Sequence, residues 1–159
     1  MRVRQIDPGS DDFDALLALV LAAFASMDGR IDPPSSARLL TADALRGKAR
    51  QETGLVVEID GRPAACLFCR DEPPDALYIG KLAVDPARQG KGLGRALLAA
   101  VESRARALGR RALRLETRIE LVDNHRIFTA WGFLRTAENR HAGYDRTTSV
   151  EMTKRLDPA

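Results

Sequence analysis

Aromatic side chains are scarce: five Phe, two Tyr and one Trp make up 5% of the 159 residues. Grooves that grip single-stranded nucleic acid interleave cations with stacking aromatics. No such stripe is present, and no nucleic-acid partner is expected. Long apolar runs are also missing. The longest, Ala15 to Ala25, has 11 residues, and a membrane-spanning helix needs about 20, so no membrane role is expected. Cysteine is limited to Cys66 and Cys69, and histidine to His125 and His141. A C-x-x-C pair can hold zinc or do redox chemistry. Here it falls within Ala64-Ala65-Cys66-Leu67-Phe68-Cys69, which reads as a strand. Positions i and i+3 of a strand point to opposite faces. Without a second pair, no metal site is expected. Neither sign of charge dominates, since 25 Lys and Arg stand against 22 Asp and Glu, a net +3. Mild basicity suits an anionic partner, and a phosphate-bearing small molecule fits.

What is present is an ordinary globular composition, 45% hydrophobic and 30% charged. A chain of this size builds a core without disulfides or metal, and residues 1–159 read as one domain. Ala23-Phe24-Ala25 mimics a signal-peptidase site. However, Asp7, Asp11, Asp12 and Asp14 lie where a secretory signal should be basic. Phe13, Leu16, Leu17, Val20, Leu21 and Phe24 have helical spacing. The run is therefore read as a core helix and the protein as cytoplasmic.

Val3 to Ile6 reads as a strand. Ser10 or Asp11 is placed to cap a helix that reaches about Met27. A second helix is expected from a cap at Thr41 to before Gly54, with Leu39, Leu40, Ala44, Leu45 and Ala49 as its apolar positions. Leu55–Ile59 and Ala64–Cys69 read as strands joined by the hairpin signal Asp60-Gly61. Ala76 to Val84 is a third long strand. Leu93 to Leu108 follows the helical period and stops at Gly109. Strand Ala112–Thr117, helix Asn124–Trp131 and strands Phe133–Glu138 and Thr148–Met152 complete the chain. The order β-α-α-β-β-β-α-β-α-β-β describes one α/β (or α+β) domain with a mixed sheet.

The informative segment is Leu82-Ala83-Val84-Asp85-Pro86-Ala87-Arg88-Gln89-Gly90-Lys91-Gly92-Leu93-Gly94-Arg95. A strand passes through a glycine-rich loop straight into a long helix. Glycines let the backbone approach a ligand closely. The first helical turn leaves N–H groups unpaired and carries the positive end of the dipole. Together these features suit a diphosphate, with Arg88, Lys91 and Arg95 as surrounding cations. A P-loop requires G-x-x-x-x-G-K-[ST], but Gly92 follows Lys91. A dinucleotide fingerprint requires G-x-G-x-x-G in the first βα unit, whereas Gly90, Gly92 and Gly94 lie in mid-chain as G-x-G-x-G.

Gln89-Gly90-Lys91-Gly92-Leu93-Gly94 resembles the [QR]-x-x-G-x-[GA] signature of the GNAT acyltransferase superfamily. Asn124-His125-Arg126-Ile127-Phe128-Thr129-Ala130-Trp131-Gly132-Phe133 is similar to that family's second signature, and the order of elements matches along the whole chain. The resemblance implies a mixed, mostly antiparallel sheet of six to seven strands flanked by about four helices. It also implies acetyl-CoA as cosubstrate and a primary amine of a small molecule or peptide as acceptor. The pantetheine would lie along Leu82, Ala83 and Val84, between strands that splay apart. The diphosphate would sit on the N–H groups from Gln89 to Arg95, with Asn124 and Phe128 completing the cosubstrate site. Homodimerisation is left open.

The chemistry needs a neutral amine, a stabilised carbonyl oxygen and a departing thiolate. The Leu82 backbone amide is the candidate for the oxygen. The resemblance places a tyrosine, the usual acid, four residues earlier than the Gly-Phe pair reckoned from its glycine, and this chain has Phe128 there. Tyr144 is the substitute. No carboxylate lies in Tyr78-Ile79-Gly80-Lys81-Leu82, so Glu116 and His141 are the candidate bases. A non-catalytic acyl-CoA sensor is the alternative reading, and a nucleotide-dependent enzyme is a more distant one.

Overall fold

The computed structural model describes residues 2–157. Among them the elements are β1 (Val3–Gln5), α1 (Phe13–Ala25), α2 (Ala42–Gln51), β2 (Thr53–Ile59), β3 (Arg62–Glu72), β4 (Ala76–Val84), α3 (Leu93–Ala107), β5 (Ala112–Arg118), α4 (Val122–Ala130), β6 (Leu134–Asn139) and β7 (Ser149–Arg155). Short 3-10 turns occupy Ser36–Leu39 and Pro86–Arg88. The seven strands form one sheet in the order β1-β2-β3-β4-β5-β7-β6. β4 and β5 pair in parallel, and the other neighbours are antiparallel. This is the mixed sheet and the element order that the sequence predicts.

Both faces of the central strands are covered. On one side, Leu93, Leu97 and Val101 of α3 pack with Leu67, Cys69, Leu113 and Phe133. On the other, Phe13, Leu16 and Val20 of α1 and Leu45 of α2 pack with Val56, Cys66, Phe68 and Ala83. Each fully buried Leu or Phe contributes about 1.5–3 kcal/mol. Cys66 and Cys69 belong to opposite clusters, as strand alternation requires. Burial alone pushes the Cys66 thiol up to about 12. No group of three or more metal-ligating side chains occurs among the described residues.

Local chemistry corrects three boundaries. Asp12 caps α1, accepting from Ala15 N–H at 3.0 Å, rather than Ser10 or Asp11. The Asp11 carboxylate instead receives Arg4 in two bonds of 2.9 and 2.7 Å and the Asp7 N–H at 2.6 Å. That guanidinium holds the Asp11 carboxyl below the usual range. The α1 helix ends at Ala25 with Ser26 as C-cap, so Met27 lies in the following turn. Thr41 caps α2 as expected, accepting from Ala44 N–H at 3.1 Å. Leu39, however, sits in a 3-10 turn with 77% of its surface exposed and is not part of that helix.

One irregularity in β4 shapes the site. Cys66 pairs with Ala83 and Phe68 with Gly80, so Lys81 and Leu82 together oppose Leu67. Such a bulge breaks the two-residue alternation. Leu77 and Ile79 pack toward α3 before it, and Leu82 and Val84 do so after it. Lys81 carries the bulge at φ +53°. Its Nζ lies over the Phe24 ring of α1, 5.9 Å from the centroid.

Candidate active site

β4 and β5 are paired only where Ala76–Tyr78 meets Ala112–Arg114. Past those residues the strands part, and a cleft of about 960 Å³ opens between them. Its walls include Leu82 and Val84 of β4, Leu115 to Arg118 of β5, and the loop into α3. Asn124, Ile127 and Phe128 of α4, Trp131 at its C-cap and the end of α1 also line it.

The loop builds an anion-binding end. Gly92 is the N-cap of α3 at φ +82°, with no side-chain cap. A left-handed N-cap favours glycine. Among the described residues, no backbone acceptor outside the helix meets the N–H groups of Gly90 to Arg95. Arg88, Gln89, Gly90, Gly92, Leu93, Gly94 and Arg95 all line the cleft. Lys91 does not line it, and neither does Ala83, whose side chain is buried under α1.

Thr117 lines the same gap with 7% of its surface exposed. Its Oγ1 is buried and has no hydrogen-bond partner. Leaving such a hydroxyl unsatisfied costs about 1–3 kcal/mol. With the free amides at the helix start, it fits a polar ligand entering between the strands. The residues present thus suit a cosubstrate with a diphosphate and an amide-bearing arm.

Glu116 lines the cleft from β5. Arg114 lies 3.4 Å from its Oε1, yet places two 2.8 Å bonds on Glu72 and one of 2.7 Å on Glu151. Hydrogen bonding from Arg114 holds the Glu72 carboxyl low. Tyr78, also in the wall, has its ring between the guanidiniums of Arg70 and Arg114, at 4.7 and 4.5 Å. Burial pushes its phenol up.

His141 lines the cleft, and its Nδ1 is hydrogen-bonded to Thr148 Oγ1. Tyr144 is not among the lining residues. Its hydroxyl donates to Asp32 Oδ1 at 2.6 Å, and that bond raises its pKa above the usual tyrosine value. Arg146 donates to Asp32 O at 2.9 Å, and Arg118 donates to Pro33 O at 2.7 Å. The α1–α2 loop, the β6–β7 loop and the end of β5 are thereby tied together at the cleft margin.

The structure thus gathers Glu116, His141, Leu82 and the glycine loop at one cleft, and places Tyr144 in the margin. Sequence reasoning missed Thr117, Tyr78, Phe24 and Lys81 as wall residues. Lys81 leaves a faint signal, a lysine directly after a glycine within an apolar strand, but alternation alone does not reveal a bulge.

A strand pair that parts beside an unsatisfied helix start suits an elongated ligand with an anionic end at the helix and an arm between the strands. The profile of the Acetyltransferase (GNAT) family matches residues 18–133. A mycothiol acetyltransferase of Sanguibacter keddieii is 35% identical over 165 aligned residues, covering 98% of this chain and 47% of the relative. The chain therefore spans about half the length of that curated relative. The ribosomal-protein-S18-alanine N-acetyltransferase of Escherichia coli shares the fold with TM-score 0.75 at 20% identity, covering 99% of this chain and 95% of the other. So does a GNAT family acetyltransferase from Elizabethkingia anophelis with acetyl-CoA bound, with TM-score 0.70 at 16% identity, covering 98% and 97%. The chain belongs to the GNAT acetyltransferase family. No helix among the described residues is long and apolar enough to cross a membrane.

Proposed function

We propose that this chain acetylates a primary amine of a small molecule or peptide by direct attack in a ternary complex. The observation that carries the reading is the parting of β4 and β5 beside the unmet amides at the start of α3. The relative named as a mycothiol acetyltransferase favours a small-molecule acceptor. Acetyl-CoA supplies a thioester, an acyl carbon whose sulfur can leave as thiolate.

The amides from Gln89 to Arg95 hold the diphosphate, with Arg88 and Arg95 adding charge. The N–H of Leu82 stabilises the negative charge that develops on the carbonyl oxygen. Glu116 takes the proton from the incoming ammonium, directly or through one water, so that a neutral nitrogen bonds to the acyl carbon. His141 shares the acceptor end and holds its ring by the bond to Thr148. The carbon–sulfur bond then breaks, and the acylated nitrogen releases its second proton to solvent to leave the neutral amide. A thiol's reference pKa is about 8.5, so its thiolate leaves without a strong acid. Protonation from solvent suffices, with Tyr144 as the nearby side chain whose substitution tests an acid role.

The test is a pair of measurements on the purified chain: thermal stabilisation by CoA, and thiol release from acetyl-CoA across an amine panel. Stabilisation with turnover is expected, and no shift at millimolar CoA would overturn the proposal. Phe128, at the usual tyrosine position, favours the second reading, a non-catalytic acyl-CoA sensor. That reading requires CoA binding with no turnover of any amine.

A further inference from the structure

Five cations line the cleft, against the carboxylates Glu116 and Asp123. Arg88 and Arg95 belong to the glycine loop and the start of α3, where a diphosphate accounts for them. Arg30, Lys81 and Arg118 come from the α1–α2 loop, the β4 bulge and the end of β5, away from that loop. None of these three forms an ion pair with a carboxylate among the described residues. The Arg118 guanidinium bonds only to the carbonyls of Pro33 and Pro34 among the described residues.

Lys81 is the most constrained of the three. It is half-buried, and its left-handed backbone, at φ +53°, is one that lysine rarely adopts. Its Nζ rests over Phe24 and makes no hydrogen bond among the described residues. It directly precedes Leu82, whose amide we assign to the reacting carbonyl. Burial, reinforced by nearby Lys48, lowers its pKa, as expected for a cation without a counter-ion. A partly buried charge is normally paired or hydrogen-bonded. Here the pairing group is missing from the protein, and the open side is the cleft.

We propose that the acceptor is a small amine that also carries a carboxylate, an amino acid or amino-acid derivative, and that Lys81 is the specificity residue that receives this carboxylate. The inference rests on the acetyltransferase reading and names the acceptor class of the same site. Glu116 and Lys81 then divide the zwitterion. The carboxylate on β5 takes the ammonium end, and the lysine on the β4 bulge takes the acid end. An amine lacking the acid would leave the lysine uncompensated in the bound complex.

The experiment measures CoA release by the full chain with matched acceptors: leucine against isopentylamine, phenylalanine against phenethylamine, and 6-aminohexanoate against hexylamine. At least one acid-bearing member should exceed its partner about tenfold or more in kcat/KM, the scale of one hydrogen bond to a charged group. Lys81→Met should raise the KM of that acceptor by a similar factor with kcat nearly unchanged. Lys81→Arg should restore much of the loss. CoA-induced thermal stabilisation of both variants should match that of the parent, showing that the fold and donor site are intact. Equal or better use of the decarboxylated amines overturns the proposal, even if a variant fails to fold. So does a KM that Lys81→Met leaves unchanged, or the absence of any amino-acid acetylation by a protein that binds CoA. Loss of CoA binding in the parent chain would instead remove the acetyltransferase reading itself.

Discussion

A Cβ placed on Gly94 would stand 2.8 Å from ring carbon Cη2 of Trp131. The third glycine of the loop motif is thus where α3 meets the C-cap residue of α4. The Trp131 ring in turn meets Phe128 edge-on, at 5.7 Å between centroids. The two signature segments therefore meet at this contact, and the wall on the α4 side is positioned from the residue that opens α3.

Gly94→Ala should force the Trp131 ring outward and shift α4. Overpacking of this kind costs about 1–3 kcal/mol. The expected outcome is a lower melting temperature together with weaker CoA affinity, read by calorimetry on the same samples. Parent-like values for both would show that the ring can move away freely.

Glu116→Gln keeps the shape of the strand and removes the proton acceptor. General-base assistance is worth about 10²–10⁴ in rate. The variant should lose that order of kcat/KM at neutral pH. CoA binding should be retained. A variant with parent activity would move the base elsewhere, with His141 next in line.

Much of the fold is legible because local chemistry dictates it. Asp60 and Gly61 take φ +54° and +74°, the hairpin geometry that Asp-Gly announces. Thr41 caps α2 as its position suggests. Cys66 and Cys69 separate because a strand has a period of two. The glycine loop is legible because unpaired amides at a helix start have few uses. Other features depend on partners far along the chain. Asp11 is as good a cap by type as Asp12, but Arg4 claims it. Tyr144 and Asp32 are 112 residues apart, so nothing local marks their bond. The bulge at Lys81 is set by its pairing with β3, which no strand pattern in β4 alone contains.

The Tyr144–Asp32 bond yields a prediction about binding rather than chemistry. Its hydroxyl ties the β6–β7 loop to the α1–α2 loop, beside Arg146 and Arg118. Tyr144→Phe should loosen this margin, raising the acceptor KM severalfold, with kcat falling less than about tenfold, below the range for loss of a general acid. Asp32→Asn should act in the same direction. A fall in kcat of about a hundredfold or more for Tyr144→Phe alone would assign the hydroxyl to protonation of the leaving group.

The pH dependence of stability should expose the Glu72–Arg114 pair. In the folded chain, bonds from Arg114 hold the Glu72 carboxyl below its usual value of 4.5. A carboxyl with a depressed folded-state pKa contributes its full stability above the unfolded value. That contribution is lost as pH falls through the folded one. The parent should therefore melt higher than Glu72→Gln at neutral pH. The gap should narrow as pH drops below about 4.5 and close once Glu72 is protonated in both states. Arg114 also carries Glu151, so removing Glu72 leaves its charge partly compensated and the variant should still fold. Melting curves of the two proteins from pH 7 to pH 3 would check this, and a gap that stays constant across that range would mean that the pair contributes shape rather than charge.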